Sequence, residues 1–204
     1  RDNIVILDCG SQYTQLIARR IRELSVHSEI LPWDAGAETV LGRNPKGIVV
    51  SGGPRSCVEE DAPRLDERLL RSGIPVLGIC YGMQMLAHQL GGRVERAGAA
   101  EYGRARVCRT EEPSVLLEGL PSSFQVWMSH RDQVTALPPG ARAVGTSEGG
   151  ALAGFEMGDG RIGALQFHPE VAHTEQGTEI LRCFLFHVCR CEPSWRLEDW
   201  IRDM

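Results

Sequence analysis

The sequence predicts an α/β fold in which a mixed, mainly parallel central sheet is flanked by helices. In the first half of the chain, short apolar strand patterns alternate with helical patterns, which is typical of a parallel sheet covered by helices. In the second half, short apolar stretches recur between glycine and proline turns, which indicates a small additional antiparallel region. A length of 204 residues suits one substantial hydrophobic core and is too short for two full-size domains.

The first half contains four strand patterns, each of which ends at a turn. They cover residues 3–7, 28–31, 47–50 and 75–79. Apolar residues at helical spacing predict one helix over about 13–24 and another over about 83–90. Asp61 and Pro63 form a helix start, so we expect a further helix from there to Gly73.

The second half ends in a strand, a helix and a polar tail. Strand patterns lie near 107, 124–127, 143–144, 151–155 and 162–167. A helical pattern follows over about 174–188. We therefore expect residues 1–190 to form the domain, and residues 191–204, with Trp195 and Trp200, to form a C-terminal connector or docking tail.

The composition excludes several classes of function. The formal net charge is -5, so neither nucleic acid nor an anionic membrane is an expected partner. No apolar run approaches the roughly 18 residues that a membrane span needs. Seven cysteines are scattered through the chain, and an odd number without a disulfide-like spacing favours free thiols in a reducing cytoplasm.

A candidate nucleophile, Cys80, lies in a Gly-x-Cys-x-Gly sequence at 78–82. A strand pattern precedes this sequence and a helical pattern follows it, as in a nucleophile elbow. Such a turn holds the sulfur above the strand end, and the amides at the start of the helix favour the thiolate. The backbone amide of Tyr81 would then stabilise an oxyanion. The alternative is that Cys80 is a buried, inert thiol, as we interpret the other six cysteines.

A candidate base, His168, follows the last strand pattern. Pro169 favours an extended backbone at His168, and residues two apart in an extended chain project to the same side. Glu170 can therefore orient the imidazole, which gives the nucleophile–base–acid logic of a catalytic triad. The competing use of Cys and His, a zinc site, lacks the usual ligand spacings in this sequence, so we expect no metal.

The sequence Ser-Gly-Gly-Pro-Arg-Ser at 51–56 follows the third strand pattern. It is not a phosphate-binding P-loop, because the chain has no Gly-x4-Gly-Lys-Ser/Thr motif. Pyrophosphatase-type ATP loops carry an aspartate where Arg55 stands here. We interpret the backbone amide of Gly53 as a second oxyanion donor, with a simple tight turn as the alternative.

Six motifs spaced along the chain form a highly specific set. Three of them are Ser-Gly-Gly-Pro at 51–54, Gly-Ile-Cys-Tyr-Gly-Met-Gln at 78–84 and Phe-His-Pro-Glu at 167–170. The others are Asp-Cys-Gly-Ser-Gln-Tyr-Thr-Gln at 8–15, Trp-Met-Ser-His-Arg-Asp at 127–132 and Val-Ala-His-Thr at 171–174. The first three resemble class I glutamine amidotransferases, whose fold is flavodoxin-like, and the second three resemble the branch of that family found in GMP synthetases.

The resemblance implies a glutaminase mechanism. The Cys80 thiolate would attack the side-chain amide of L-glutamine, His168 would transfer protons, and Glu170 would orient His168. The amides of Gly53 and Tyr81 would hold the oxyanion of the resulting intermediates. The amino-acid end of the glutamine would bind to Gln84, Ser129, Arg131 and Asp132.

The resemblance also implies a partner. Ammonia would pass to an ATP pyrophosphatase (synthetase) domain or subunit that converts XMP to GMP, and ATP and Mg²⁺ are expected only there, with no cofactor in this chain. Two positions depart from the family pattern, since Arg131 stands at a usual glycine and Cys9 at a usual phenylalanine. A backbone contact to glutamine survives the first change only where the dihedral angles suit a residue other than glycine.

Two other functions are compatible with this fold. The chain could serve anthranilate, aminodeoxychorismate or carbamoyl phosphate synthesis, whose amidotransferases tend to differ at 8–15 and 129–132. It could instead be a non-catalytic regulatory module, although such a module has no chemical need for Cys80, His168 and Glu170 together.

Overall fold

The computed structural model describes residues 1–202, apart from the side chains of Trp200 and Arg202. Its centre is one nine-stranded sheet with the strand order β2-β1-β3-β4-β9-β8-β7-β5-β6. The strands are β1 Asn3–Asp8, β2 His27–Pro32, β3 Gly47–Val50, β4 Val76–Ile79, β5 Arg93–Arg109, β6 Ser123–Ala136, β7 Arg142–Ser147, β8 Leu152–Met157 and β9 Ile162–Leu165. The helices are α1 Thr14–Glu23, α2 Ala37–Gly42, α3 Glu67–Arg71, α4 Tyr81–Gln89, α5 Gly177–Arg182 and α6 Leu197–Arg202.

The first part of the sheet is parallel and gathers the functional loops. Strands β2, β1, β3, β4 and β9 pair in parallel in that order. The loops that follow β1, β3, β4 and β9 therefore leave from the same edge of the sheet. Ligand sites of open α/β sheets lie at this edge, and the candidate residues of the four loops meet there.

The second part of the sheet is antiparallel and continues from β9 through β8 and β7 to β5 and β6. Strands β5 and β6 are the longest, at 17 and 14 residues. Their pairing shifts register between Arg96 and Glu101, and such irregularities bend a strand pair. This pair, which we term the β5–β6 arm, contributes residues 129–132 to the site. The predicted mixed sheet with flanking helices and an antiparallel region is confirmed.

Alternation along the central strands fills a core on each face of the sheet. Ile4 and Ile6 of β1 pack with Ile17 of α1 on one face, whereas Val5 and Leu7 belong to the core on the other face. Successive strand residues point to opposite faces, so a strand that is apolar throughout must be covered on both sides. The predicted helices α1 and α4 provide part of that cover.

The prediction of a helix from Asp61 to Gly73 was wrong about its start. The helix α3 begins only at Glu67, where the Asp66 side chain accepts a hydrogen bond from the Arg68 amide and caps it. Upstream, the amide side chain of Gln89 binds the backbone N–H and C=O of Leu65, both at 2.8 Å. These bonds take the place of helical ones, so residues 62–66 run as an irregular segment.

Three further differences from the prediction concern other helices and strands. The short helix α2 falls where no helix is predicted. Strand β5 begins at Arg93, well before the apolar pattern near 107. Its first residues are mostly exposed and polar, so no apolar pattern marks where the strand begins. The helix predicted over about 174–188 starts at Gly177 and turns π-helical over Cys183–Val188, and π-helices are uncommon and short.

The C-terminal segment runs along the domain. The Trp195 amide donates to the Ser25 carbonyl at 2.8 Å, and Leu197 and Ile201 of α6 are 65% and 64% exposed. The Trp200 side chain and residues 203–204, which belong to the predicted tail, lie outside the described structure. Within residues 1–202, no helix has the length and apolar character to cross a membrane.

A glycine-to-alanine pair tests how tightly the elbow is packed. A Cβ at Gly82 would lie 2.4 Å from the Val50 carbonyl oxygen, whereas a Cβ at Gly42 meets open space. We expect Gly82→Ala to lower the free energy of unfolding by about 1–3 kcal/mol, because the backbone must shift. Gly42→Ala, the control, should leave it equal or slightly higher. Urea unfolding of both variants measures the difference, and equal stabilities would contradict this packing.

Candidate active site

Cys80 stands at a sharp turn between β4 and α4. Its backbone has φ 55° and ψ -106°. Residues other than glycine rarely adopt such a conformation, and those that do are often found at functional sites. The Cys80 amide donates to the Leu165 carbonyl of β9 at 2.8 Å, which fixes the turn to the sheet. A Cβ at Gly78 would lie 2.5 Å from the Gly82 carbonyl oxygen, so the flanking glycines allow the close approach that the turn needs. The predicted elbow geometry is present.

His168 and Glu170 meet as their spacing predicts. The Nδ1 of His168 lies 2.6 Å from Oε1 of Glu170, and the two side chains are 4% and 0% exposed. The imidazole also hydrogen-bonds the Cys80 side chain. Because Nδ1 faces the carboxylate, Nε2 is the ring nitrogen left for Cys80. The three side chains therefore form a continuous hydrogen-bonded line.

The backbone around His168 is held from two sides. Its amide donates to the Trp127 carbonyl at 3.0 Å, and its carbonyl accepts from the Thr174 hydroxyl at 2.6 Å. The Nε of Arg20 donates to the Glu170 carbonyl at 2.9 Å. Anchors on β6, on α1 and on the segment before α5 therefore fix the imidazole and the carboxylate relative to Cys80.

The environment of His168 favours its protonated form. Burial lowers its pKa, but the hydrogen bonds with Cys80 and Glu170 and their negative charge raise it by more, to about 10. Since this value lies above the ordinary 6.5, protonation of His168 stabilises the fold fully below about pH 6.5. That contribution is lost as the pH rises through about 10. At neutral pH the imidazole is therefore a proton donor.

Cys80 lies between two cavities. The first, of about 700 Å³, is lined by Cys80, by all four predicted glutamine-binding residues and by charged side chains at its mouth. The second, of about 290 Å³, is lined by Cys80, His168 and the loop after β1. Gly53, Pro54 and Ser129 border both cavities. We term them the first and second cavities.

The predicted glutamine-binding residues form one cluster beside the nucleophile. The Gln84 side-chain amide donates to the Asp132 carbonyl at 2.9 Å and approaches the side-chain oxygen of Gln166 at 3.3 Å. Ser129 places its carbonyl oxygen 3.3 Å from the Cys80 sulfur. The Asp132 carboxylate accepts from the Ser56 hydroxyl at 2.5 Å. The Gln84 amide is thus engaged within the protein and fixes the wall of the first cavity.

Arg131 fits its position although related sequences usually have glycine there. The residue lies in strand β6 and is not among those with positive φ, so a side chain imposes no strain. Its Nε donates to the Tyr102 hydroxyl at 2.9 Å at the cavity mouth. A backbone contact at 131 therefore remains available.

A buried hydrogen-bond network around His130 supports strand β6. His130 faces two acceptors, since its Nδ1 lies 2.8 Å from the Asp132 carbonyl oxygen and its Nε2 lies 2.9 Å from the Glu101 carboxylate. Ser147 donates to the other oxygen of Glu101 at 2.8 Å. Through these contacts the imidazole ties β6 to Glu101 of β5.

The loop after β3 brings Gly53 to the nucleophile. A Cβ at Gly53 would lie 2.2 Å from the Cys9 carbonyl oxygen, so only glycine fits there. Ser51 orders the loop, since its hydroxyl accepts from the Cys9 amide at 2.9 Å and donates to the Gly52 carbonyl at 2.8 Å. Cys9 itself is a buried thiol whose pKa is raised to about 12 by burial and by the charge of Asp8.

Sequence reasoning did not single out four side chains near the site, namely Ser11, Tyr13, Glu101 and Gln166. Gln166 donates towards the Cys80 sulfur at 3.8 Å, and its two-residue spacing from His168 was the signal that could have found it. The Tyr13 ring packs edge-on against His168, with centroids 5.2 Å apart. Glu101 lies 29 residues from His130, and no local pattern links them.

No group of three or more His, Cys, Asp or Glu side chains in the described part of the chain could hold a metal ion. Seven free cysteines are present.

Residues 5–188 match the family described as glutamine amidotransferase class-I. The chain belongs to this family. The prediction of a class I glutamine amidotransferase is thereby confirmed.

The chain is also similar to curated proteins named GMP synthase [glutamine-hydrolyzing]. It is 58% identical to the protein of Thermus thermophilus over 201 residues, which are 98% of this chain and 39% of that protein. It is 50% identical to the protein of Parafrankia sp. over 202 residues, which are 99% of this chain and 38% of that protein. The chain thus spans about two fifths of the length of these relatives, which belong to the branch that the motifs predict.

Solved structures share the fold. A Thermoplasma acidophilum protein described as a GMP synthase subunit superposes with a TM-score of 0.80 at 31% identity, covering 100% of this chain and 98% of that one. A glutamine amidotransferase of Thermotoga maritima, at 24% identity and a TM-score of 0.67, covers 99% of this chain and 91% of that one; this similarity supports the fold alone.

The charge on Glu170 can be tested through the pKa of His168. Glu170→Gln keeps the shape but removes the negative charge, so we expect the pKa of His168 to fall from about 10 towards 6.5. An NMR titration of the His168 ring protons measures it. Glu179→Gln, which neutralises an exposed carboxylate paired with Arg182, is the matched control. An unchanged pKa in Glu170→Gln would show that the carboxylate does not carry this effect.

Proposed function

We propose that this chain is the glutaminase component of a GMP synthetase, which hydrolyses L-glutamine and supplies ammonia for the conversion of XMP to GMP. The observation that carries the proposal is the line from Cys80 through His168 to Glu170 at the strained turn after β4. Acyl transfer needs a nucleophile, a group that donates and then accepts a proton, and a carboxylate that orients that group.

The first half of the reaction forms a thioester. The Cys80 thiolate attacks the side-chain amide carbon of glutamine, and the negative charge on the amide oxygen is stabilised by the amides of Gly53 and Tyr81. His168, protonated at neutral pH because its pKa is raised to about 10, gives its Nε2 proton to the departing nitrogen. The C–N bond breaks, ammonia leaves, and a γ-glutamyl thioester remains on Cys80.

The second half of the reaction hydrolyses the thioester. His168 has lost its proton, so its Nε2 now accepts one from water, and the resulting hydroxide attacks the thioester carbon. The C–S bond breaks, glutamate is released, and Cys80 returns to the thiolate beside a protonated His168. Glu170 holds the imidazole orientation through its 2.6 Å contact with Nδ1.

The first cavity suits the amino-acid end of glutamine. Its lining combines acidic and basic side chains, including Glu95, Arg96, Arg131 and Asp132, which complement a free amino and a free carboxylate group. The carbonyls of Ser129 and Asp132 and the Gln84 side chain define its inner wall. Substrate held there would present its amide to Cys80.

The proposed partner is an ATP pyrophosphatase domain or subunit that binds ATP and Mg²⁺ and activates XMP. The names and greater lengths of the curated relatives support this proposal. Residues 191–204 are the proposed connector or docking tail, and the exposure of Leu197 and Ile201 on α6 supports it. Free cysteines support a reducing compartment, and we propose the cytoplasm.

The test separates ammonia production from ammonia use. The chain is mixed with the synthetase portion from the same organism, XMP, Mg-ATP and either glutamine or ammonium. We expect Cys80→Ala to abolish glutamine-dependent GMP formation, a loss of at least about 1000-fold since no other group can form the thioester, while ammonium still supports it. Cys108→Ala, which removes an exposed thiol, should retain both activities.

Other outcomes would redirect the proposal. Full glutamine hydrolysis by Cys80→Ala would contradict the nucleophile. Stimulation by a chorismate-using subunit in place of an XMP-using one would assign the chain to a different synthase. Failure of a chloroketone analogue of glutamine to label Cys80 in the assembled complex would favour a non-catalytic module.

A further inference from the structure

We propose that the second cavity is a separate compartment for the small neutral reactants, ammonia and water, and that Ser11 is the residue that positions them. This inference rests on the proposed glutaminase function and adds a route that the function does not specify. The compartment lies on the His168 side of Cys80 and adjoins the cavity for the amino-acid end of glutamine along Gly53, Pro54 and Ser129.

The positions of the two reacting side chains support this division. Cys80 lines both cavities, whereas His168 lines only the second. The group that protonates the leaving nitrogen must touch it, so ammonia is released at the wall of the second cavity. Water for hydrolysis must reach the same imidazole while the glutamyl group still fills the first cavity, so it must arrive from the second.

The two cavities also differ in the charge of the side chains that line them. The mouth of the first cavity carries both acidic and basic side chains, such as Arg55, Glu59 and Arg96. The second cavity is lined by Gly10, Ser11, Gln12 and Tyr13 of the loop after β1, and it has no carboxylate, lysine or arginine in its lining. Apart from the reacting residues Cys80 and His168, this wall of small polar and aromatic groups offers hydrogen bonds to water or ammonia but no counter-ion for a charged ligand.

Ser11 lies close to both reacting side chains. The position that a Cβ would occupy at Gly52 is 3.2 Å from Cε1 of His168, 3.4 Å from Cβ of Cys80 and 3.6 Å from Oγ of Ser11. The Ser11 hydroxyl oxygen accepts from the Tyr13 amide at 3.0 Å. No acceptor for its proton lies among residues 1–202, so this O–H can donate to a small molecule beside His168.

The loop that carries Ser11 is held firmly. The Asp8 carboxylate accepts from the Gly10 amide at 2.8 Å and from the Thr14 hydroxyl at 2.9 Å. Gly10 has φ 98°, and a Cβ there would lie 3.3 Å from the Pro54 ring. The loop is thus fixed to α1 on one side and to Pro54 on the other, which gives the compartment a defined width.

The proton balance assigns a direction to each molecule. The leaving nitrogen takes the Nε2 proton of His168 as the C–N bond breaks, and neutral ammonia enters the second cavity. Water then comes the opposite way and gives a proton to Nε2 as its oxygen bonds to the thioester carbon and the C–S bond breaks. The Ser11 hydroxyl donates a hydrogen bond to the ammonia once it is released, and to the oxygen of the incoming water.

The test compares reactions that need the second cavity with one that does not. Alkylation of Cys80 by a chloroketone analogue of glutamine needs the first cavity and releases chloride, without water or ammonia. Glutamine hydrolysis needs both cavities. Added hydroxylamine, a larger nucleophile than water, competes for the thioester and yields γ-glutamyl hydroxamate, which reports the width of the path to it.

We expect Ser11→Leu to leave the alkylation rate and the KM for glutamine unchanged. The variant should lower kcat for glutamine hydrolysis by about 100-fold, because the reactants are displaced. It should also lower the ratio of hydroxamate to glutamate. Ser11→Thr keeps the hydroxyl and adds one methyl group, so it should lower the same ratio to a smaller extent and preserves the test if the leucine variant fails to fold. Ser11→Ala should lower kcat without lowering that ratio. Ser122→Leu, at an exposed serine, is the matched control.

Two results would overturn the inference. Hydrolysis and partitioning in Ser11→Leu that match the Ser122→Leu control would show that small molecules do not pass Ser11. Equal losses of alkylation and hydrolysis would show that Ser11 shapes the nucleophile and not a compartment. A wild-type protein that neither hydrolyses glutamine nor reacts with the chloroketone would instead contradict the proposed function itself.

Discussion

The backbone of Cys80 at φ 55° is the constraint on which the rest of the site depends. A side chain at this angle stores strain, so the surrounding structure must hold it by other contacts. Gly78 and Gly82 let β4, α4 and β3 approach closely enough to do so. The hydrogen bond from the Cys80 amide to Leu165 then ties the turn to β9, and the chain reaches His168 three residues after Leu165. One turn therefore fixes both the nucleophile and the distance to its base.

Much of this arrangement could be predicted from local patterns. The glycines around Cys80 and the spacing of His168 and Glu170 each act over a few residues, so the sequence shows them directly. The helix predicted from Asp61 failed because the side chain of Gln89, more than twenty residues away, binds the Leu65 backbone. A distant partner of that kind leaves no mark in the local pattern.

The parts of the site that the sequence did not predict also depend on contacts between residues that are far apart in the chain. Glu101 and His130 face each other as the last pair of the regular part of the β5–β6 ladder, just before its register shift, and the register of such a pair is set by tertiary packing. Ser11 approaches His168 because the loops after β1 and β9 leave the same edge of the sheet. Sequence predicts which loops share that edge, but not which of their side chains face one another.

The β5–β6 arm links the substrate wall to the reacting residues. Strand β6 lies at the far end of the sheet order, five strands away from β4, yet its residues 129–132 form the wall beside the nucleophile. The reacting pair belongs to the parallel half of the sheet, and the substrate wall belongs to the long two-stranded arm. Because the Trp127 carbonyl of β6 accepts from the His168 amide, a displacement of that arm would change both how firmly glutamine is held and the position of His168. Substrate capture and bond breaking are thus mechanically coupled through β6 in this fold.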